Sequence, residues 1–302
     1  MIHRGLAHVR LYGLRSLVRH SVSAAIGFVA RKRTQLRARW RFLTRTLPLR
    51  FGKSRLAPNT DPEVVASLTS FPARIRTVWA TIETLMRQSR VPDAIILVLS
   101  LEEFPTMRVP RSIRLLERRG VTLHWIDSNI GSYGKLVPAR QHFPSATIIT
   151  VDDDVLYASD MLDRLLAASS DRPGWIVGHR GWNPIRSMDG YQPYVDWMRA
   201  GYASPESDTD EVFLTGVGGV LYPPNALDAD LLVDIELALQ LAPKADDVWF
   251  WAVARISGTK RYCTGETYGE TNGLEQIGPS LFFHNRAEND MQIAATVHHL
   301  GL

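Results

Sequence analysis

Three consecutive aspartates, Asp152, Asp153 and Asp154, end the aliphatic run "ATIITVDDDV" (Ala146–Val155). Carboxylates side by side repel one another, so the pattern asks for a cation. Hard divalent ions take oxygen ligands, and magnesium or manganese commonly joins one or two carboxylates to the phosphates of a substrate. Alternate residues of an extended chain point to the same side. Asp152 and Asp154 are therefore expected to converge while Asp153 turns away. An Asx turn capping a helix near Ser159 or Asp160 is the simpler reading, but it needs only one aspartate. A second acidic pair, Asp246 and Asp247, opens "ADDVWFWAVARIS". That stretch reads as a helix beginning at its aspartates, where the dipole favours ionised carboxylates and where capping is a sufficient role for Asp246. Trp249 and Trp251 are expected in the core on that helix.

These residues need elements to hold them. "PEVVASLTSF" reads as a strand, followed by helical spacing at Val78, Ile82, Leu85 and Met86. "AIILVLS" is a second buried strand, "SIRLLERRG" a short helix with a glycine stop, "VTLHWID" a third strand and "SATIITV" a fourth. Strands alternating with helices imply βαβ units and a mostly parallel sheet. Ligands bind outside the carboxyl ends of such strands. Polar residues stand there: Thr69 and Ser70, Ser100, Asp127, then the triplet. Residues 174–205 are rich in aromatics, with Trp182, Tyr191, Tyr194, Trp197 and Tyr202 free to stack on a sugar or to pack among themselves. "LTGVGGVLYPP" supplies Gly216, Gly218 and Gly219, which would let backbone approach a ligand closely. A helical stretch from Ala226 to Ala242 follows, and "SLFFHN" reads as a short strand ending in His284.

The chain has 302 residues, 45% hydrophobic and 22% charged, enough for a large core. Its lone cysteine, Cys263, excludes an internal disulfide. The net charge of +4 conceals an asymmetry: residues 1–60 hold fourteen Lys or Arg and no acidic residue. Subtracting those from the total of 35 leaves 21 basic against 31 acidic residues from Asp61 onward. We expect two parts, a basic segment over 1–60 and one acidic domain over 61–302. The longest uncharged run in the basic segment, Ser21 to Ala30, is too short to span a bilayer. No small-residue cleavage site follows it, so a secretory signal is not expected. Leu11, Leu14, Leu17, Val18 and Val22 recur among arginines. That spacing suits a helix lying in an anionic membrane interface. A disordered basic arm, or one that binds RNA, is the alternative. The acidic domain carries no nucleic-acid-binding signature, and no nucleic-acid partner is expected.

The motifs, taken in order, resemble those of nucleotide-sugar glycosyltransferases of the GT-A fold, and most nearly bacterial transferases that build capsule or lipopolysaccharide glycans. Strand-D-D-D-V-x-Y resembles their DXD motif, "SLTSFPARI" their first strand and nucleotide-cradling loop, and "GSYGKL" a sugar-nucleotide contact loop. "TGVGGVLYP" resembles the glycine-rich acceptor loop, "ADD" the xED motif, and His284 the C-terminal histidine that can complete the metal site. The resemblance covers about Val64 to Asn285. It departs from the pattern in that three aspartates leave open which two act, and the basic segment has no counterpart. The resemblance implies a Rossmann-like α/β domain with a mostly parallel central sheet and flanking helices, preceded by a basic helical segment. It implies transfer of a sugar from a nucleotide-sugar to a glycan or lipid-linked acceptor, with Mn2+ or Mg2+. Asp152, Asp154 and His284 would hold the metal. Thr69, Ser70, Arg74, Asp127, Lys135, Asp152 and Asp153 would contact the nucleotide-sugar, Lys135 facing the diphosphate. Asp247, with Asp246 beside it, would be the base of an inverting reaction. Gly218, Gly219 and Trp182 would meet the acceptor. The expected place is the cytoplasmic face of the cell membrane, held peripherally by residues 1–60. Two rivals are a haloacid-dehalogenase-type phosphatase, which "IITVDDDVL" also fits, and a non-catalytic glycan-binding module kept for its aromatic loop.

Overall fold

The computed structural model describes residues 40, 42–47, 56, 57, 59, 61–188, 190–271 and 281–302; for residues 271 and 281–287 it describes the backbone alone. Thirteen strands occur among these residues. They are β1 (Val64–Thr69), β2 (Ala94–Ser100), β3 (Thr122–Ile126), β4 (Thr147–Thr150), β5 (Val155–Tyr157), β6 (Ile176–Gly178), β7 (Gly181–Trp182), β8 (Arg186–Ser187), β9 (Gly190–Tyr191), β10 (Phe213–Leu214), β11 (Val220–Tyr222), β12 (Arg261–Cys263) and β13 (Gly269–Thr271). Seven form one sheet in the order β12-β6-β11-β4-β1-β2-β3. All its pairings are parallel except those of β11, which runs antiparallel to both neighbours. The fold is therefore the expected α/β class, a mostly parallel sheet flanked by helices.

Strand β2 shows why the sheet forms. Ile95, Leu97 and Leu99 enter one core, and Ile96 and Val98 enter the other. A strand buried on both faces reads as the unbroken apolar run "AIILVLS". The first core packs the helices Trp79–Leu85, Arg111–Glu117 and Met161–Ser170 against one face. The second packs Val137–His142 and Asp246–Ile256 against the other. Trp249 and Trp251 are buried, as expected.

The chain makes β1, β2 and β3 on one side and then returns to place β4 on the other side of β1. A crevice at such a reversal opens at the carboxyl ends of β1 and β4, and the aspartate triplet leaves β4 there.

Two expectations need correction. "SLFFHN" is not a strand: it starts the helix Leu281–Leu300. Three neighbouring apolar residues favoured the strand reading, but the twenty residues Leu281–Leu300 contain no Gly or Pro. Ile293, Val297 and Leu300 recur at helical spacing and pack toward Val248, Trp251 and Ala252. The side chain of His284 lies outside the described residues. The helical stretch Ala226 to Ala242 is two helices, Ala229–Val233 and Ile235–Leu241. Asp234 breaks it by leaving helical geometry and accepting the Leu237 N–H at 3.0 Å, as Asp228 accepts Leu231 N–H at 2.9 Å for the first helix.

Candidate active site

The loop after β4 is held from several sides before its carboxylates do anything. Thr81 Oγ1 donates to the carbonyls of Asp153 and Val155 at 3.1 and 2.7 Å. The Asp152 N–H donates to Tyr157 Oη at 2.9 Å, and that hydroxyl donates on to the Val217 carbonyl at 3.3 Å. Tyr157 thus ties the triplet to the glycine-rich segment.

Asp153 is the inward member, 6% exposed. Its two oxygens accept from Ser70 Oγ at 2.6 Å and Arg74 Nη1 at 2.7 Å. Arg74 also pairs with Asp154 at 2.9 Å. The loop after β1 therefore acts first on the triplet itself. Burial raises the Asp153 and Asp154 carboxyls, and Arg74 opposes this; Asp154 still ends up at about 7, with Asp152 and Asp153 adding repulsion.

Lys135 joins the triplet to the distant pair. It closes the 3-10 turn Gly131–Lys135, which lies on the end of β1: a Cβ at Gly134 would stand 3.0 Å from Thr69 Oγ1. Its ammonium is buried and lies 3.2 Å from Asp152, 2.9 Å from Asp246 and 3.9 Å from Asp247. Burial disfavours the charged form, but the three carboxylates more than offset this and hold the lysine well above its usual pKa. Gly216 makes the arrangement possible, because a Cβ there would collide with Lys135 Nζ. The Gly216 N–H donates to both oxygens of Asp247 at 3.1 and 3.2 Å. The remaining glycines have other duties. A Cβ at Gly218 would stand 2.8 Å from Arg180 Cβ, and Gly219 has φ +81° beside Met161.

Asp247 lies in the first turn of the helix Asp246–Ile256, with 28% of its side chain open to solvent. Its carboxyl is pushed up to about 7, first by burial and then by the charge of Asp246, with Lys135 and the Gly216 N–H pulling the other way.

Five carboxylates thus meet two ion-paired cations, Arg74 and Lys135. The repulsion of the triplet is eased inside the protein. The excess negative charge that remains would repel a diphosphate unless a further cation came with it. Asp152 and Asp154 each keep an oxygen not engaged by a cation and are 31% and 17% open. They suit a hard divalent ion that draws its other ligands from water and phosphate. Among the described residues no group of three or more His, Cys, Asp or Glu is placed to hold a metal. Among the described residues Asp152 and Asp154 are the carboxylates available for such an ion.

The other candidates are spread out. Thr69 Oγ1 donates to the Val98 carbonyl at 3.0 Å. Asp127 is exposed at the end of the edge strand β3, two strands from β1, and takes no part in the cluster. Trp182 is 3% exposed, its Nε1 donating to Tyr194 Oη at 2.8 Å; the open ring is Tyr202, 64% exposed and stacked on it at 4.7 Å. Tyr194, Trp197, Phe213 and Trp251 pack together as core. A surface hollow of about 210 Å³ lined by Arg140, Tyr222, Pro223 and Leu232 contains none of the carboxylates. Sequence reasoning missed Arg180 altogether. It follows β6 in "GHRGW", a stretch with no motif spacing, and its position becomes visible only once β7 and the glycine segment are in place.

No family model matches the chain, and no curated protein matches it. Solved structures do. A mannosyltransferase from Pyrobaculum calidifontis, in complex with GDP-Man and Mn2+, is 13% identical with a TM-score of 0.44, over 91% of this chain and 80% of that one. A structure of S. aureus TarS is 11% identical with a TM-score of 0.43, over 78% and 70%. The 4-diphosphocytidyl-2C-methyl-D-erythritol synthase from Anaerococcus prevotii is 15% identical with a TM-score of 0.44, over 75% and 98%. Likenesses at this level concern the fold alone.

Proposed function

We propose that the chain is a metal-dependent glycosyltransferase that moves a sugar from a nucleotide-sugar to a glycan or lipid-linked acceptor with inversion, in the assembly of a cell-surface polysaccharide. One observation carries this. Segments far apart in sequence meet in one cluster: Ser70 and Arg74 on the triplet, Lys135 between Asp152 and Asp246, and Gly216 on Asp247. They are the segments whose motifs resemble the transferase pattern.

In this reading Asp152 and Asp154 hold Mn2+ or Mg2+, and a divalent cation there supplies charge stabilisation for a departing diphosphate. Asp247 accepts the proton of the acceptor hydroxyl on a carboxylate oxygen, while the Gly216 N–H fixes its orientation. The freed oxygen bonds to the anomeric carbon as the bond from that carbon to the diphosphate oxygen breaks, and the electron pair leaves with the diphosphate. A base with pKa near 7 suits this task at neutral pH. Lys135 keeps the neighbouring Asp246 compensated, so the negative charge is held without a buried unpaired ion. The test is release of nucleoside diphosphate from a panel of sugar nucleotides with manganese. Wild-type release that Asp154→Asn abolishes while the fold stays intact supports the reading; full activity of Asp154→Asn in excess chelator refutes it.

The reading also places the protein peripherally on the cytoplasmic face of the membrane. Among the described residues no helix is long and apolar enough to cross a bilayer. Residues 40 and 42–46 are helical. Phe42 is buried edge-on to Trp79 at 6.1 Å and Arg45 pairs with Glu270 at 3.0 Å, whereas Trp40, Leu43 and Leu47 are 69%, 43% and 57% exposed. An apolar face with a tryptophan, inside a segment with fourteen basic residues and no acidic one, suits an anionic lipid interface. Sedimentation with anionic vesicles at low salt, weakened by high salt and by Trp40→Ser with Leu43→Ser, is the expected result; indifference to such vesicles would remove the claim.

A further inference from the structure

If the chain transfers sugar from a nucleotide, something must meet the charge on the leaving diphosphate besides a metal ion. The sequence offered Lys135, but its ammonium is buried and shared among three carboxylates. Arg74 is likewise engaged by Asp153 and Asp154.

Arg180 is placed differently. It is half-buried, and among the described residues no carboxylate pairs with it. Its Nη1 donates to Thr215 Oγ1 at 3.2 Å, and its backbone carbonyl accepts the Thr215 N–H at 3.0 Å. Thr215 precedes Gly216, the residue that holds Asp247. The guanidinium lies 4.8 Å from the Trp182 ring centroid and 5.2 Å from that of Tyr202. Aromatic faces hold a guanidinium in place without cancelling its charge, and N–H donors beyond the one given to Thr215 remain on the fork. A cation with no carboxylate partner among the described residues therefore stands on Thr215, one residue before the Gly216 N–H that holds Asp247.

We propose that Arg180 is a catalytic residue whose guanidinium binds the donor diphosphate and the charge it gains on leaving. This rests on the transferase reading above. When the anomeric carbon–oxygen bond breaks, the electron pair stays on the diphosphate oxygen, and Arg180 stabilises it by hydrogen bonds. Arg180 transfers no proton; the acceptor's proton goes to Asp247. A guanidinium matches phosphate oxygens in a bidentate way, and such charge-assisted bonds are the strong ones.

The test is calorimetric binding of UDP, GDP, ADP, CDP and dTDP with manganese, compared with the corresponding nucleosides. Arg180→Met should weaken the preferred nucleoside diphosphate by roughly 10- to 150-fold, the range for loss of a hydrogen bond to a charged group. Arg180→Lys should recover part of that. Nucleoside binding and the thermal midpoint should hold. Diphosphate binding at wild-type strength in Arg180→Met overturns the inference. So does an equal loss for nucleoside and diphosphate, which marks a structural role. If the wild-type chain binds no nucleoside diphosphate with manganese, the transferase reading falls and takes this inference with it.

Discussion

In the triplet the buried member is Asp153, 6% exposed, met by Ser70 and Arg74 from the end of β1. In the pair the buried member is Asp246, also 6% exposed, met by Lys135. Each cluster thus has one carboxylate turned inward onto a cation and others left facing the crevice. The clusters differ in what supports the outward member. Asp154 stands in a loop and shares Arg74 with Asp153. Asp247 stands in the first turn of a helix and is held by a backbone N–H of the glycine segment. A loop carboxylate can shift to meet an ion. A helix-borne carboxylate locked by an N–H stays where it is, which suits the base that the proposed function makes of Asp247.

The largest expected effect breaks the outward member of the pair. Asp247→Asn should lower turnover by about 10²–10⁴-fold, the usual cost of losing a general base, with donor affinity little changed. Steady-state kinetics checks it, and equal losses in donor binding and turnover would mark a structural role instead.

Next comes the inward member of the pair. Lys135→Met strands the buried Asp246 charge and should cost about 3–5 kcal/mol of stability in denaturant unfolding. Adding Asp246→Leu should restore most of it, because the stranded charge is then gone. If the single variant is as stable as the parent, Lys135 is not what compensates Asp246.

A smaller effect tests the link between the clusters. Gly216→Ala puts a Cβ against Lys135 Nζ and should cost about 1–3 kcal/mol, as overpacking does. An unfolding curve matching the parent's would mean that the lysine moves away freely.

The pH dependence sharpens the contrast further. The Asp247 carboxyl is raised to about 7 in the fold from about 3.9 in an unfolded chain. The folded state therefore binds more protons between these values, and its stability falls as pH rises from about 4 through about 7. Asp247→Asn should remove its own share of that decline in thermal unfolding and leave the share of Asp154, also raised to about 7, whereas turnover of the parent should rise through about pH 7 as the base ionises. A pH profile of stability unchanged by the substitution would locate the titration elsewhere.

Much of the fold was legible. Strands β1, β2 and β4 could be read because a strand covered on both faces is largely apolar, and the helix stop at Gly120 because the chain turns there with φ +99°, which favours glycine. The "SLFFHN" segment misled because three apolar neighbours outweighed a helical period that becomes plain only ten residues further on. The site was legible as separate motifs. The aspartates, the glycines and Lys135 announced themselves by type and spacing, but the ownership of Lys135 did not, since an ammonium in a short loop carries no mark of which carboxylates it will face.

What the sequence determined by itself is the set of charges and the elements that carry them: a basic first sixty residues, an acidic remainder, aspartates at a strand end and at a helix start. Those follow from composition and from periodicity, which are local. The tertiary structure alone decided which aspartates turn inward, that Gly216 leaves room for the Lys135 ammonium, and that Arg180 donates to Thr215 beside the glycine segment with no carboxylate partner among the described residues. Those depend on contacts among β1, β4, the Gly131–Lys135 turn, the glycine segment and the helix Asp246–Ile256, whose distances no local pattern encodes. Coulomb interactions among buried groups depend on distance and on the exclusion of water, and both are set only when the separate segments pack.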